Sequence, residues 1–133
     1  MRESTTAFTL AEMDAVMREH GIGEDGYLYK NATGKVIGRD VQHATSEYRE
    51  GFRDQVNHVA RLLRYSDRTN ALDHTVHGLK VEIEQATRKY VTNGSVLVAI
   101  ILLGIPVKRI EERNSGAHVA ISSNQQFPVA RVA

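Results

Sequence analysis

Two histidines with a spacing that could hold a metal ion are the first feature of this chain with chemical potential. His74 and His77 are three residues apart, so both would lie on one face of a helix running through them. Asp67 and Asp73 are close in the sequence, and either carboxylate could complete a divalent-metal site. No third histidine follows at a spacing typical of zinc proteins, and ordinary surface histidines explain the pair more simply. The sequence therefore offers His74 and His77 only as weak metal candidates, and it predicts no cofactor.

Arginines repeat along one predicted helix in a pattern suited to binding anions. Arg61, Arg64 and Arg68 would share a helix face. A guanidinium group can hold a phosphate or a carboxylate through two parallel hydrogen bonds. The alternative is that these cations only meet the negative end of the helix macrodipole. A second basic group lies nearer the C-terminus. The residues predicted to bind a partner or a phosphate are Arg61, Arg64, Arg68, Lys108, Arg109 and Arg113.

Tyrosines could add a stacking surface for a base or another ring. Together with the arginines they would suit a small nucleotide-like ligand. The alternative is core packing with a hydrogen-bonded hydroxyl group. The tyrosines in question are Tyr27, Tyr29, Tyr48, Tyr65 and Tyr90.

Sequence motifs of the common enzyme classes do not occur in this chain. There is no G-x-S-x-G nucleophile turn, no phosphate-binding loop, no dinucleotide glycine fingerprint and no H-E-x-x-H. Cysteine is also absent, which removes thiolate catalysis, disulfides and cysteine-based zinc sites. The sequence therefore predicts a non-enzymatic protein.

Length and charge place the chain among ordinary soluble domains. Its 133 residues fit one domain over 1–133, with residues 1–7 and 124–133 expected to be loosely ordered. The net charge of +1 gives only weak steering toward nucleic acid. The N-terminus lacks the apolar run of a signal peptide, so a cytoplasmic location is expected. The longest apolar run is also too short to span a membrane.

That apolar run is the strongest architectural signal. No polar side chain occurs over residues 96–103, whereas Thr92 before it can cap a helix and Gly104 and Pro106 after it can end one. We predict a helix over about 94–104 that is buried on all sides. A buried strand is the alternative, because several of these residues are β-branched. A chain this short has little surface with which to cover such a helix, so a homodimer or a higher oligomer is predicted.

The remaining elements follow from capping and periodicity. Thr9 and Glu12 form a capping-box pattern at the start of a helix that glycine ends at 21–23. Longer helices are predicted over about 41–65, with Asp40 as N-cap, and over about 71–91. Gly51 and Gly78 inside them predict close approach of another backbone. Turn residues at 31–34 and 114–116 predict β-hairpins over about 27–38 and 107–122. The predicted fold is thus α+β and mainly helical, with four helices around a buried central helix and two β-hairpins.

Two functions are consistent with these features. The first is a binding protein that docks on a protein complex or captures a small nucleotide-like ligand. Small size, absence of cysteine and lack of housekeeping motifs are loosely similar to phage or mobile-element accessory proteins, including those that inhibit host defence. The second is a nucleic-acid-binding regulator, because the order of helices and a C-terminal hairpin is similar to a winged helix-turn-helix. Residues 96–103 offer no polar side chain to base edges, so such a regulator would rely on Lys108, Arg109 and Arg113.

Overall fold

A computed structural model describes residues 7–63, 74–105, 107–109 and 119–121 of the chain. The described part is mainly helical with short antiparallel strands, which confirms the predicted α+β class. The elements in chain order are α1 (Leu10–His20), β1 (Ile22–Gly23), β2 (Gly26–Tyr27), β3 (Tyr29–Lys30), β4 (Val36–Ile37), α2 (Ser46–Leu63), β5 (His74–Thr75), α3 (Val76–Thr87), α4 (Asn93–Leu102), β6 (Val107–Arg109) and β7 (Val119–Ile121).

Helix α1 begins and ends where its local sequence predicts. The Thr9 hydroxyl accepts a hydrogen bond from the Glu12 amide at 3.1 Å, and the Glu12 carboxylate accepts one from the Thr9 amide at 2.9 Å. This reciprocal pair satisfies two amides that the helix itself leaves without a partner. At the other end, Gly21 takes the left-handed conformation, with φ of 65°. The predicted start at Thr9 and the glycine stop are both confirmed.

The first predicted hairpin is present but shorter than expected. Strands β3 and β4 are antiparallel, with Tyr29 opposite Ile37 and Lys30 opposite Val36. The side-chain oxygen of Asn31 stabilises the turn, because it accepts hydrogen bonds from the amides of Thr33 and Lys35, each at 3.0 Å. Residues 26–27 instead form β2, which pairs with β1 in a separate two-stranded sheet.

The two long helices are each shorter than predicted. Helix α2 starts at Ser46 rather than near Val41, since Thr45 accepts a hydrogen bond from the Tyr48 amide at 3.2 Å. The predicted cap, Asp40, instead accepts from the Gln42 amide at 2.8 Å and forms a local turn.

Helix α3 also starts late, at Val76, and it ends early, at Thr87. Thr75 is its N-cap and accepts from the Gly78 amide at 3.0 Å. The predicted span of 71–91 is therefore wrong at both ends, although residues 71–73 lie outside the described part.

The predicted close approaches at Gly51 and Gly78 are wrong. A Cβ atom at Gly51 would meet nothing within 4 Å, and one at Gly78 would meet only the Thr75 hydroxyl at 3.1 Å.

The close approach occurs at Gly94, where a Cβ atom would lie 2.0 Å from the Gly23 carbonyl oxygen. The Gly94 amide donates to the Glu24 carbonyl at 2.8 Å. Because Gly94 has no side chain, the start of α4 can lie directly on the turn between β1 and β2.

Helix α4 contains the apolar run, so the alternative of a buried strand is wrong. Thr92 and Ser95 form a capping box at its start. At its end, Gly104 has φ of 74°, its amide donates to the Ile101 carbonyl at 3.0 Å, and the Ile105 amide donates to the Ile100 carbonyl at 3.1 Å. These paired bonds make the left-handed glycine stop of a Schellman motif. Residues 96–100 are 0% exposed, and α4 contacts α1, α2, α3 and β2.

The second predicted hairpin gains a strand that the sequence did not predict. Strands β6 and β7 are antiparallel, with Val107 opposite Ile121 and Arg109 opposite Val119. Strand β5 pairs with the other edge of β7, where His74 is opposite Ile121. The resulting three-stranded sheet has the order β5-β7-β6 and is separate from the β3–β4 hairpin. Over the described ranges, no helix combines the length and apolarity needed to cross a bilayer.

Candidate functional site

The predicted cationic residues are only partly within the described chain. Arg61 is exposed in the last turn of α2, as predicted. Lys108 and Arg109 lie in β6, where the backbone alone is described. Arg64, Arg68 and Arg113 fall outside the described residues. Of the predicted arginine face, Arg61 is therefore the member within the described residues.

The helical histidine pair does not exist as predicted. His74 lies in strand β5, whereas His77 lies in α3. The two histidines therefore do not belong to one helix, because α3 begins only at Val76. Among the described residues, no group of three or more histidine and carboxylate side chains could hold a metal ion.

The described tyrosines lie in different environments rather than in one ligand pocket. Tyr27 is buried in β2. The Arg39 guanidinium lies over the Tyr48 ring, 5.3 Å from the ring centroid. The Tyr90 ring is 69% exposed and lies 5.6 Å from the Lys80 ammonium. Tyr90 is thus the tyrosine most accessible to a partner among those described.

A hydrogen bond between His58 and Thr87 joins the last turns of α2 to the end of α3. The His58 Nε2 atom lies 3.1 Å from the Thr87 hydroxyl oxygen. The hydroxyl itself donates to the Ile83 carbonyl at 2.8 Å. Its single hydrogen is used in that bond, so it accepts from His58, and Nε2 of the neutral ring carries the proton. Residues 29 positions apart are thereby held side by side.

This contact brings cations from both segments around one histidine. Arg61 follows His58 by three residues on α2, and the Lys89 amide lies 3.4 Å from the Thr87 hydroxyl. Burial lowers the pKa of His58, and the positive charges of Lys89 and Arg61 lower it further. We use the name cationic face for Arg61 of α2 together with the exposed loop residues Arg88, Lys89 and Tyr90.

The loop that carries most of the cationic face has an unusual backbone. Arg88 ends α3 in the left-handed conformation, with φ of 59°. Among the described residues, no other residue except glycine has a positive φ. A side chain in this conformation costs roughly 1 kcal/mol or more relative to glycine. Glycine would adopt this conformation without that cost.

Glu84 holds this loop against α3. Its carboxylate accepts hydrogen bonds from the Lys80 ammonium at 2.9 Å and the Val91 amide at 3.3 Å. Burial alone would raise the pKa of Glu84, but the hydrogen bond from Lys80, the one from Val91 and nearby positive charge outweigh it and lower the pKa. The Glu84 carboxylate is thus already hydrogen-bonded to Lys80 and to the loop. Among the described residues, no ion pair joins Arg61, Arg88 or Lys89 to a carboxylate.

An open groove of about 500 Å³ is lined in part by Arg61. Asn57 positions its far wall, because its side chain accepts from the Phe8 amide at 2.7 Å and donates to the Phe8 carbonyl at 3.1 Å. The paired bonds hold the chain before α1 against α2 in the manner of a strand pair. The groove is lined by Ala7, Phe8, Thr9, Leu10, Arg53, Asp54, Asn57 and Arg61.

The sequence pattern indicated Arg61 as a binding residue but did not indicate the loop residues Arg88 and Lys89. Arg88 and Lys89 were missed because the predicted helix continued to Val91 and placed both residues inside it. The signal that could have revealed the loop is local. It is the capping pattern that begins at Thr92, which requires a break in the chain before it. No known protein indicates a function for this arrangement, because no family model, curated protein or solved structure matches the chain.

Proposed function

We propose that this protein is a non-enzymatic binding protein that docks on an acidic surface of a protein partner through the cationic face. Helix α4 is proposed as the central scaffold that holds α2 and the α3–α4 loop in position. The observation that carries the proposal is the hydrogen bond between His58 and Thr87, which holds α2, with the exposed Arg61 three residues after His58, beside the loop that contains Lys89.

The electrostatics of this arrangement favour an anionic partner. Like charges held close together raise the free energy of the folded protein unless an opposite charge neutralises them. Arg61 and Lys89 both lower the pKa of His58, and Glu84, whose carboxylate contacts the loop at Val91, is paired with Lys80. A carboxylate-rich surface would supply opposite charge and would pair with the arginines through two hydrogen bonds each.

The residue types of the cationic face favour a protein rather than a small molecule. Tyrosine and arginine are enriched among the residues that contribute most to protein–protein affinity. Tyr90 and Lys89 are exposed on a loop and not enclosed in a cavity, whereas small-molecule sites bury most of their ligand. The small net charge of +1 gives weak attraction to nucleic acid.

An inhibitory accessory protein of a phage or a mobile element, acting on a cytoplasmic host complex, is the biological setting that we propose. Self-association into a homodimer or a higher oligomer remains part of the proposal. Within one chain residues 91–100 are already buried, whereas Ile101, Leu102 and Leu103 at the end of the apolar run are partly exposed. Native mass spectrometry of the purified protein would give the number of subunits directly.

Binding of a dye-labelled polyaspartate peptide tests the docking function. The wild-type protein is expected to bind the peptide at low salt, with affinity falling as salt increases. The double variant Arg61→Ala/Lys89→Ala should bind about tenfold more weakly, since each exposed charge pair contributes up to about 1 kcal/mol.

A variant with equal charge loss elsewhere provides the control. Lys30→Ala/Lys35→Ala removes two exposed lysines from the β3–β4 hairpin and should retain wild-type affinity. Equal weakening in both double variants, or no binding at low salt, would overturn the proposal. Mixed-sequence duplex DNA is the second probe. Tighter binding to the duplex, with a steep salt dependence, would replace the protein-docking function by the nucleic-acid alternative.

A further inference from the structure

We infer that docking of an acidic partner on the cationic face is coupled to uptake of one proton by His58, so that the affinity increases as the pH falls. The inference rests on the proposed function and specifies how that site would be regulated.

Four groups face His58 and determine its response. Thr87 lies at the end of α3 and accepts the Nε2–H hydrogen bond, and Lys89 follows it on the loop. Arg61 lies one turn further along α2. Asp54 lies one turn earlier, but its side chain is 74% exposed and its carboxylate is 3.4 Å from the Arg53 guanidinium. Positive charge thus dominates the immediate surroundings of the ring.

The hydrogen bond leaves one ring nitrogen available for the proton. Nε2 already carries a hydrogen because the Thr87 hydroxyl can only accept from it. Protonation therefore takes place on Nδ1, which has no hydrogen-bond partner among the described residues. The contact between α2 and α3 survives this step unchanged. Charge can consequently be added beneath the cationic face without rearrangement of the backbone.

An anion on the cationic face reverses two of the three effects that keep His58 neutral. Without a partner, burial lowers the pKa of His58 most, and the charges of Lys89 and Arg61 lower it further. Carboxylates placed against Lys89 and Arg61 neutralise both charges and also attract a proton to the ring. By thermodynamic linkage, a ligand that favours protonation of His58 must bind more tightly to the protonated protein.

The test is the affinity for the dye-labelled polyaspartate peptide between pH 5.5 and 8.0 at constant ionic strength. The aspartate side chains, with an ordinary pKa of about 3.9, stay ionised over this range, so the probe does not titrate. The wild-type affinity is expected to increase as the pH falls, by up to about tenfold per pH unit for one proton taken up.

Two histidine variants show whether His58 is responsible. His58→Gln removes the titrating ring and should give an affinity that does not change with pH. His43→Gln is the matched control, because His43 is 86% exposed and lies against Asp40, away from the cationic face, so the wild-type pH dependence should remain. A direct measurement on the wild-type protein uses the ring resonances of His58 by NMR, whose pKa should be higher with the peptide bound.

The outcomes separate this inference from the proposed function. Peptide binding that does not change with pH, or a pH dependence that persists in His58→Gln, overturns the proton coupling and leaves the docking function in place. A pKa of His58 that stays the same in the bound state overturns the coupling as well, without reliance on any variant. Absence of peptide binding at every pH overturns the docking function and the coupling with it.

Discussion

At the scale of single residues, the same amino acid has opposite roles at two positions. Gly94 is required because any side chain would enter the β1–β2 turn, with a Cβ atom 2.0 Å from the Gly23 carbonyl and 2.6 Å from the Glu24 carbonyl. Gly51 lies on the exposed side of α2, and a Cβ atom there would meet nothing within 4 Å. Helical spacing alone makes these glycines look alike, and only their surroundings distinguish them.

Gly94→Ala is expected to destabilise the protein by about 3 kcal/mol or more, because two backbone carbonyl groups must move to admit the methyl group. Gly51→Ala is the matched substitution. It should stabilise the protein by about 0.5–1 kcal/mol, since alanine restricts the unfolded chain and favours the helix. Urea unfolding at 25 °C measures both changes. Similar midpoints for the two variants would contradict the close approach at Gly94.

At the scale of elements, the ends of the helices determine where the candidate site lies. Helix α4 ends at Gly104, whose φ of 74° suits glycine. Helix α3 ends at Arg88 in a similar conformation, without the freedom of glycine. The early end of α3 places Arg88 and Lys89 in the exposed segment after the helix, next to Thr87, which contacts His58 of α2. Glycine in place of Arg88 would therefore stabilise this helix end but would remove a positive charge from the cationic face.

Arg88→Gly is expected to raise the free energy of unfolding by about 0.5–1 kcal/mol, because glycine adopts the left-handed conformation without steric cost. The same variant should bind the polyaspartate peptide more weakly, since it removes one cation. Urea unfolding and peptide titration measure the two effects. Arg88→Asn is the control with an intermediate tolerance of positive φ. A loss of stability in Arg88→Gly would show that the arginine side chain makes a stabilising contact.

At the scale of the whole molecule, the contact between α2 and α3 connects global stability to pH. The pKa of His58 is lowered on folding, first by burial and then by Lys89 and Arg61. The unfolded chain therefore binds a proton at a higher pH than the folded chain does. Stability is fully present above the ordinary pKa of 6.5 and decreases as the pH falls below it. Low pH would thus weaken the free protein while it strengthens binding of the partner.

The melting temperature of the wild-type protein should accordingly decrease as the pH is lowered from 7.5 to about 5.5, the range in which an unfolded histidine takes up its proton. His58→Gln should show a smaller decrease over the same range, because the residue no longer titrates. Calorimetry at constant ionic strength provides the measurement, with His43→Gln as the control. A larger decrease in His58→Gln than in the wild type would contradict the direction assigned to the His58 pKa.

The sequence by itself determined the features that depend on residues three or four positions apart. The caps at Thr9 and Thr92, the stop at Gly104 and the turn around Asn31 are local hydrogen-bonding patterns, and the structure contains each of them. The mainly helical α+β class also follows from such patterns, because each helix or hairpin is encoded by its own segment.

Only the tertiary structure decided which segments meet. The pairing of β5 with β7, the contact of Gly94 with the β1–β2 turn and the bond from His58 to Thr87 all join residues distant in the sequence. No local pattern contains the position of a distant partner, so periodicity identified Arg61 but could not place Lys89 beside it. Helices α2 and α3 both pack on α4, and that packing depends on the shapes of all the surrounding elements at once.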